Sequence, residues 1–231
     1  MQKNKTSLTM SQAVKIYIGS GFFKQTLQFT CIMTVIYVVT IAFFFLMICA
    51  ESGFAAARNE VCESFMSNMF LAIDGGIGVA LLSVQTFEKK LPGGKFFRSV
   101  KGGFDTYKKA RTALVLSVII GICLYIGIIG ALNAVIPFMR YGAATCVSVA
   151  VFLLLGVGIV NLISVIKNDL ARTLLSFMQM FGISLVGAFT VHITKGELGI
   201  VHITAAILAI LLIPVSHKLM LASYRKRRWN T

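Results

Sequence analysis

The sequence predicts an all-α, polytopic membrane protein with six transmembrane helices, an N-terminal interfacial helix and a short cytoplasmic helix between the second and third spans. Composition gives the first reason: 57% of the 231 residues are hydrophobic and only 13% are charged. Soluble domains are about 45–50% apolar and about 25% charged, so a water-soluble globular domain is excluded. The 18 Phe residues also exclude a disordered chain, because disordered chains are poor in aromatic residues.

The second reason is a series of continuous apolar runs, each long enough for one helix to cross the bilayer. A helix rises about 1.5 Å per residue, so about 20 apolar residues cross a hydrocarbon core of about 30 Å. Helices satisfy their own backbone hydrogen bonds inside lipid, and continuous runs do not fit the alternating pattern of a membrane β-barrel. The predicted spans are residues 30–50, 66–87, 112–136, 141–166, 171–192 and 198–221.

The segment ahead of the first span is apolar but interrupted by Lys15 and Lys24. Its apolar residues recur at loose helical spacing, which favours a helix that lies in the cytoplasmic interface of the membrane. The alternative is that this segment extends the first span toward the N-terminus. The predicted parts of the chain are a tail with the interfacial helix (1–29), a six-helix transmembrane domain (30–221) and a basic cytoplasmic tail (222–231).

The distribution of Lys and Arg predicts the orientation of the spans. If the N-terminus is cytoplasmic, 19 of the 22 basic residues fall in cytoplasmic segments, and only Arg58, Arg140 and Lys195 lie outside. This asymmetry follows the positive-inside rule and places both termini in the cytoplasm. It also accounts for the net charge of +14 without nucleic acid, because basic residues face the anionic leaflet. We expect a multi-pass protein of the plasma membrane, most simply a bacterial one.

No pattern for catalysis, a cofactor or a metal ion is present in the sequence. The five cysteines have no zinc-site spacing, and no metalloprotease or serine-hydrolase motif occurs. Gly94-Lys95 is followed by Phe96 and lacks the first glycine of a phosphate-binding loop. We therefore expect no enzyme activity in this chain itself, and any energy from ATP has to come from another subunit.

Three polar side chains inside the apolar runs are candidates for an intramembrane pathway: Asp74, Asn133 and Asn161. Asp74 is the strongest candidate, because a carboxylate at the centre of a membrane helix costs about 2.5–3.5 kcal/mol on insertion scales. It could belong to a substrate or proton pathway, or it could be a structural residue that a neighbouring helix satisfies. The two asparagines fit interhelical hydrogen bonds better than a pathway.

The segment 88–111, between the second and third predicted spans, is long for a connection between helices. Its aromatic residues fall on one helical face and its basic residues on the others, which predicts one or two short cytoplasmic helices. Three interpretations remain open: a helix resting on lipid, a docking element for a cytoplasmic partner, or a solvated loop. The candidate docking residues are Phe96, Phe97, Arg98, Val100, Phe104 and Tyr107.

The order of these parts resembles the membrane-spanning subunit of type-two ABC exporters. In that family an interfacial helix precedes six spans, and the connection between spans two and three forms a coupling helix that docks on the ATPase subunit. The stretch from Glu88-Lys89-Lys90 through Phe96-Phe97-Arg98-Ser99-Val100, ahead of Tyr107-Lys108-Lys109-Ala110-Arg111, is similar in position and character to that coupling region.

The resemblance implies a permease that exports a peptide, an antibiotic or a lipid-like molecule, using a separate cytoplasmic ATP-binding subunit. It also implies a second membrane subunit, in a homodimer or a heterodimer, within the lipid bilayer. The main alternative is a membrane protein that uses no ATP, of an immunity, sensory or scaffold type. A secondary transporter is less well supported, because the sequence shows no inverted repeat of three spans and little intramembrane charge.

Overall fold

The chain is all-helical wherever the structure, a computed structural model, describes it, and no β-strand occurs in those ranges. The described residues are 8–17, 22–60, 65–85, 103–136, 143–166, 168–195 and 197–229. The helices there are α1 (Met10–Tyr17), α2 (Phe22–Ser52), α3 (Phe54–Glu60), α4 (Phe65–Gln85), α5 (Gly103–Val135), α6 (Ala143–Ile163), α7 (Asp169–Ile193) and α8 (Ile200–Trp229).

Within the described ranges, five helices are long and apolar enough to cross a membrane, as expected of a multi-pass membrane protein. The shortest of the five has 21 residues, which corresponds to about 30 Å of helix. Helix α4 also has 21 residues, and its apolar stretch is the shorter Asn68–Ala80. The five candidate spans are Thr30–Ser52, Gly103–Leu132, Ala143–Ile163, Asp169–Ile193 and Ile200–Arg225.

Local sequence signals explain two of the helix boundaries. Gly53 separates α2 from α3 with a φ of 85°, in the left-handed region that glycine enters without steric cost. Asn168 caps α7, because its side-chain oxygen accepts from the backbone N–H groups of Leu170 at 3.0 Å and Ala171 at 3.2 Å. Such a cap satisfies donors that have no partner inside the helix and fixes where α7 begins.

Helices α4 and α6 form the centre of the bundle. Helix α6 packs against α4, α5, α7 and α8, whereas α4 packs against α2, α5, α6 and α7. Helix α8 lies at one side, mainly against α6, and α2 lies against α4 and α5. Large apolar side chains on α2 and α8 are exposed, among them Val39, Phe43, Ile203 and Ile210. Exposed apolar faces of this extent suit contact with lipid or with another membrane chain.

Helix α1 packs against the first turns of α5. Its buried residues Ala13 and Val14 belong to apolar clusters with the start of α5, and the Lys109 ammonium donates to the Leu8 carbonyl oxygen. Residues 10–17 are therefore helical and held by contacts with α5. Residues 18–21, which join α1 to α2, lie outside the described part of the chain.

The third predicted span differs from the structure in where it begins. The sequence analysis placed its start at residue 112, after a cytoplasmic connection, but α5 begins at Gly103. The extra turns are stabilised because Tyr107 and Ala110 are buried against the end of α8. The basic residues of this stretch therefore lie on a helix that continues into the bundle, and residues 86–102 lie outside the described ranges.

Candidate functional site

A hydrogen bond between two helices holds Asp74 in the bundle. The Tyr125 hydroxyl of α5 donates to the Asp74 Oδ2 atom of α4 at 3.1 Å and also lies 3.3 Å from the Leu71 carbonyl oxygen. Tyr125 is buried and Asp74 is half-buried. The strongest candidate from the sequence therefore has a partner on a neighbouring helix, as the structural interpretation of this residue requires.

Glycine next to Asp74 allows the helices to approach closely enough for this bond. A Cβ atom at Gly75 would lie 2.8 Å from Leu153 Cδ1 and 3.1 Å from Tyr125 Cε1. A side chain at this position would displace the tyrosine ring from Asp74 or the leucine from its place in the core. Gly75 thus permits close packing around the polar pair.

An apolar cleft lies between α2, α4, α5 and α6. Its enclosed space is small, on the scale of a few water molecules. Only Thr30 and Tyr125 contribute polar side chains to its lining. The cleft could hold only a small apolar group, with Tyr125, whose hydroxyl donates to Asp74, at one side. The apolar walls include Met33, Val79, Val118, Ile122 and Leu153.

Tyr125 and Tyr37 form an aromatic pair behind the cleft that the sequence analysis did not identify. Their rings meet edge to face, with centroids 6.5 Å apart and planes at 74°, and both residues are buried. A tyrosine inside an apolar run needs a hydrogen-bond partner for its hydroxyl. The position of Tyr125 within the third apolar run could therefore have marked it as a candidate. The sequence could not show that the partner would be Asp74, because this depends on how α4 and α5 face each other.

Asn161, one of the two asparagine candidates, does not share a cavity with Asp74. Asn161 lies near the end of α6 and lines a second, small cavity with Arg111, whereas Asp74 lines neither cavity. The two cavities share Val118 as a common wall. Asn133 belongs to the last turns of α5, and its side chain lies outside what the structure describes.

We call the part of the bundle formed by α1, the start of α5 and the ends of α6 and α8 the basic end. Tyr107 of α5 stacks on Tyr224 of α8, with ring centroids 3.6 Å apart and planes at 8°. Phe104 lies 6.3 Å from the same tyrosine ring, and the Arg225 guanidinium lies 6.0 Å above Phe104. These contacts tie the start of α5 to the end of α8.

The structure divides the candidate docking residues into two groups. Phe104 is half-buried and Tyr107 is buried, so in this arrangement both are engaged by α8 rather than presented to a partner. Phe96, Phe97, Arg98 and Val100 lie outside the described residues.

Two basic residues that the sequence analysis counted as loop charges are buried. Arg111 is 5% exposed, and its Nη2 atom lies 2.9 Å from the Met220 sulfur of α8. Beside it, Thr112 Oγ1 and His217 Nε2 lie 3.0 Å apart. Arg172 of α7 is also buried, and it pairs with Asp169 one turn earlier. The basic end is therefore a structured polar region and not only a charged surface.

The described residues contain no cluster of three His, Cys, Asp or Glu side chains that could hold a metal ion. His202 has a local structural role, because its Nδ1 atom accepts from the Gly199 backbone N–H at 3.0 Å at the start of α8. Its ring also meets Phe152 edge to face, with centroids 6.3 Å apart.

Comparisons with protein-family models, with curated proteins and with solved structures found no match to this chain. The functional argument therefore rests on the chain's own features. These are the order of its helices, the apolar cleft beside the Tyr125–Asp74 pair, and the contacts at the basic end.

Proposed function

We propose that this chain is the membrane-spanning subunit of an ATP-driven exporter in a bacterial plasma membrane. Its substrate is a peptide, an antibiotic or a lipid-like molecule, and a separate cytoplasmic ATP-binding subunit supplies the energy. In this proposal α4 is the second of six spans, α1 lies at the cytoplasmic interface, and both termini are cytoplasmic. The order of apolar helices and the excess of basic residues on one side support this topology.

The observation that carries the proposal is that the start of α5 is held from two sides. Helix α1 contacts it through Ala13 and Val14, and helix α8 contacts it through Tyr224. Residues 86–102 lead directly into this start. A partner that pushes on that segment would therefore move the start of α5 as a rigid unit, because α1 and α8 pack against it.

Helix α5 provides a direct mechanical connection from the basic end to the cleft. Tyr107 and Tyr125 lie on this one helix, about 27 Å apart at about 1.5 Å per residue. A shift or rotation of α5 would move Tyr125 relative to Asp74 and change the wall of the apolar cleft. Such coupling through a rigid element is how closure of an ATPase pair could alter access to a substrate site.

The remaining partners follow from the same proposal. Phe96, Phe97, Arg98 and Val100 are the proposed contact for the ATP-binding subunit, since aromatic and arginine residues are common at such interfaces. A second membrane subunit, identical or different, would complete the substrate path. The exposed apolar faces of α2 and α8 provide surface for that subunit and for lipid.

The first test is purification of the full-length chain from its native cells in mild detergent, followed by identification of the chains that co-purify. The proposal predicts a stoichiometric partner that carries a nucleotide-binding ATPase site. Replacing Phe96, Phe97 and Arg98 together by alanine should remove that partner and stop export.

The matched control is the double variant L170A/L174A, which removes two exposed leucines from α7. It should leave both association and export unchanged. Export and ATPase association that survive the triple substitution would contradict the docking role of residues 96–98. A complex that is otherwise intact but lacks any ATPase chain would contradict the exporter proposal.

One observation favours a second candidate, a self-contained membrane protein of an immunity, sensory or scaffold type or, with less support, a secondary transporter. The apolar cleft and the Tyr125–Asp74 pair already form a site within a single chain, without another subunit. This candidate predicts that D74N abolishes function in cells where no ATPase co-purifies. Full function of D74N in those cells would contradict it.

A further inference from the structure

The outer surface of α5 carries a row of side chains that changes from basic to apolar along the helix. Residues four apart are neighbours on a helix surface, and each lies about 6 Å beyond the last. Lys108 is exposed, and further along the helix Leu116 and Ile120 are 46% and 56% exposed. We call this surface the α5 row, and its members are Phe104, Lys108, Thr112, Leu116 and Ile120.

Helix α8 adds a second cation to the basic part of the α5 row. The Arg225 guanidinium lies 6.0 Å from the centre of the Phe104 ring. Two turns further along α5, Thr112 Oγ1 and His217 Nε2 lie 3.0 Å apart. These two contacts fix the register of the antiparallel helices and place Lys108 between them. The positive charge of Lys108 acts on the His217 ring, which agrees with this position.

The positive charge of this surface is available to a ligand. Lys108 and Arg225 are both exposed, and neither forms an ion pair with a carboxylate within the described residues. Asp105 is the one acidic residue on the first turns of α5, whereas the sequence Arg225-Lys226-Arg227-Arg228 adds further positive charge at the end of α8. A surface with this excess of one sign attracts an anion.

The order of the side chains distinguishes a lipid from a soluble anion. A soluble anion or an acidic peptide would use the two cations, but its charge would gain nothing from Leu116 and Ile120. These two residues lie within the candidate span Gly103–Leu132, where apolar contact is expected. A phospholipid has a charged head followed by apolar chains, so it matches the cations and the apolar residues in the same order.

We propose that the α5 row binds one anionic phospholipid. Lys108 and Arg225 contact its head-group phosphate, and its acyl chains lie along Leu116 and Ile120. Arginine and lysine both bind phosphate oxygens, and basic residues immediately outside a membrane helix are typical sites for anionic head groups. The surface is open and lies outside the small cavity beside Arg111. The inference requires the membrane-spanning fold but not the exporter proposal.

The test uses the purified full-length chain, stripped of lipid in detergent, with the midpoint of thermal unfolding as the readout. Phosphatidylglycerol, phosphatidylcholine with the same acyl chains, and soluble glycerol 3-phosphate are titrated separately at constant ionic strength. We expect saturable stabilisation by phosphatidylglycerol at a concentration at least about tenfold lower than phosphatidylcholine requires. We expect no stabilisation by glycerol 3-phosphate over the same range, because it has no apolar chains.

Two double variants test whether the effect belongs to the α5 row. K108Q/R225Q should weaken apparent affinity for phosphatidylglycerol at least about tenfold, which corresponds to about 1.4 kcal/mol. K15Q/K24Q removes the same number of exposed charges from α1 and from the start of α2. This control should change the affinity by less than about twofold. The single variants K108Q and R225Q replace the double variant if it fails to fold.

Three results would overturn the proposal. Equal losses of affinity in K108Q/R225Q and K15Q/K24Q would show a non-specific effect of net charge. Equal stabilisation of the wild-type chain by both lipids would show that the head-group charge is not recognised. Stabilisation by glycerol 3-phosphate to the same extent as by phosphatidylglycerol would identify a site for a soluble anion, in which Leu116 and Ile120 have no part.

Discussion

The middle of the bundle and its basic end are built in opposite ways. In the middle, α4, α6 and α7 meet along a glycine seam, which we define as the contacts of Gly76, Gly156 and Gly187. A Cβ atom at Gly156 would lie 2.6 Å from Met180 Sδ, and one at Gly187 would lie 3.1 Å from Phe152 Cβ. At the basic end, large aromatic and basic side chains meet instead and leave a small cavity beside Arg111.

This difference indicates which property each region depends on. The glycine seam has no spare volume, so its stability depends on the absence of side chains. The basic end depends on particular partners, such as the stacked rings of Tyr107 and Tyr224 and the buried Arg111. We therefore expect the seam to be sensitive to added atoms and the basic end to be sensitive to removed groups.

The largest effect is expected where an atom is added to the seam. G76A places a methyl group against the Ser184 hydroxyl and 3.2 Å from the Met180 carbonyl oxygen of α7. Overpacking of this kind costs about 1–3 kcal/mol, and the loss is measured as a lower free energy of unfolding in detergent.

The matched control is G182A on α7, because nothing lies within 4 Å of a Cβ atom there. This variant should become more stable by about 0.5–1 kcal/mol, since alanine favours a helix over glycine. If both variants change stability with the same sign and size, the seam is not a close contact.

The second effect concerns the aromatic stack that joins α5 to α8. Aromatic pairs contribute about 0.5–1.5 kcal/mol beyond their burial. A double-mutant cycle of Y107L and Y224L should therefore give a coupling energy of about this size in the free energy of unfolding. The control cycle pairs Y107L with L174A, an exposed position on α7, and its coupling should be close to zero. Purely additive losses in the first cycle would contradict a direct stack.

Sequence patterns predicted the membrane-spanning character of the bundle but not the start of α5. The apolar runs 141–166 and 171–192 correspond closely to Ala143–Ile163 and Asp169–Ile193, because hydrophobicity is a property of each segment alone. The start of α5 was assigned to a connection because it is rich in basic residues. Tyr107 is nevertheless buried there, since α1 and α8 cover one face of that stretch.

The candidate site was predictable only in part, because some of its features depend on contacts between helices and not on one segment alone. Asp74 could be identified because a single acid in an apolar run is costly whatever surrounds it. Its partner Tyr125 and the cavity beside Arg111 depend on which helices meet and at what rotation. A count of charges by segment therefore assigned Arg111 to the membrane surface, although α5, α6 and α8 bury it.

A smaller effect is expected from the polar pair next to the seam. Hydrogen bonds between membrane helices average about 0.6 kcal/mol and reach about 1.7 kcal/mol. A cycle of D74A and Y125F should give a coupling energy in this range in detergent unfolding. Pairing Y125F with I77A, an exposed position on α4, should give none. Zero coupling between D74A and Y125F would mean that the 3.1 Å contact contributes nothing to stability.

The smallest effect is expected on the exposed outer face of α8. This face belongs neither to the glycine seam nor to the contacts of the basic end. Ile210 is 71% exposed, so I210A removes few contacts within the chain. Lipid tails are as apolar as the isoleucine they would touch, so we expect a change below about 0.5 kcal/mol in the purified single chain. The free energy of unfolding of I210A is then measured in the complex purified from native cells and compared with that of the single chain. A loss above about 1 kcal/mol that appears only in the complex would mean that a second membrane subunit covers this face, because only added protein contact converts an exposed isoleucine into a buried one.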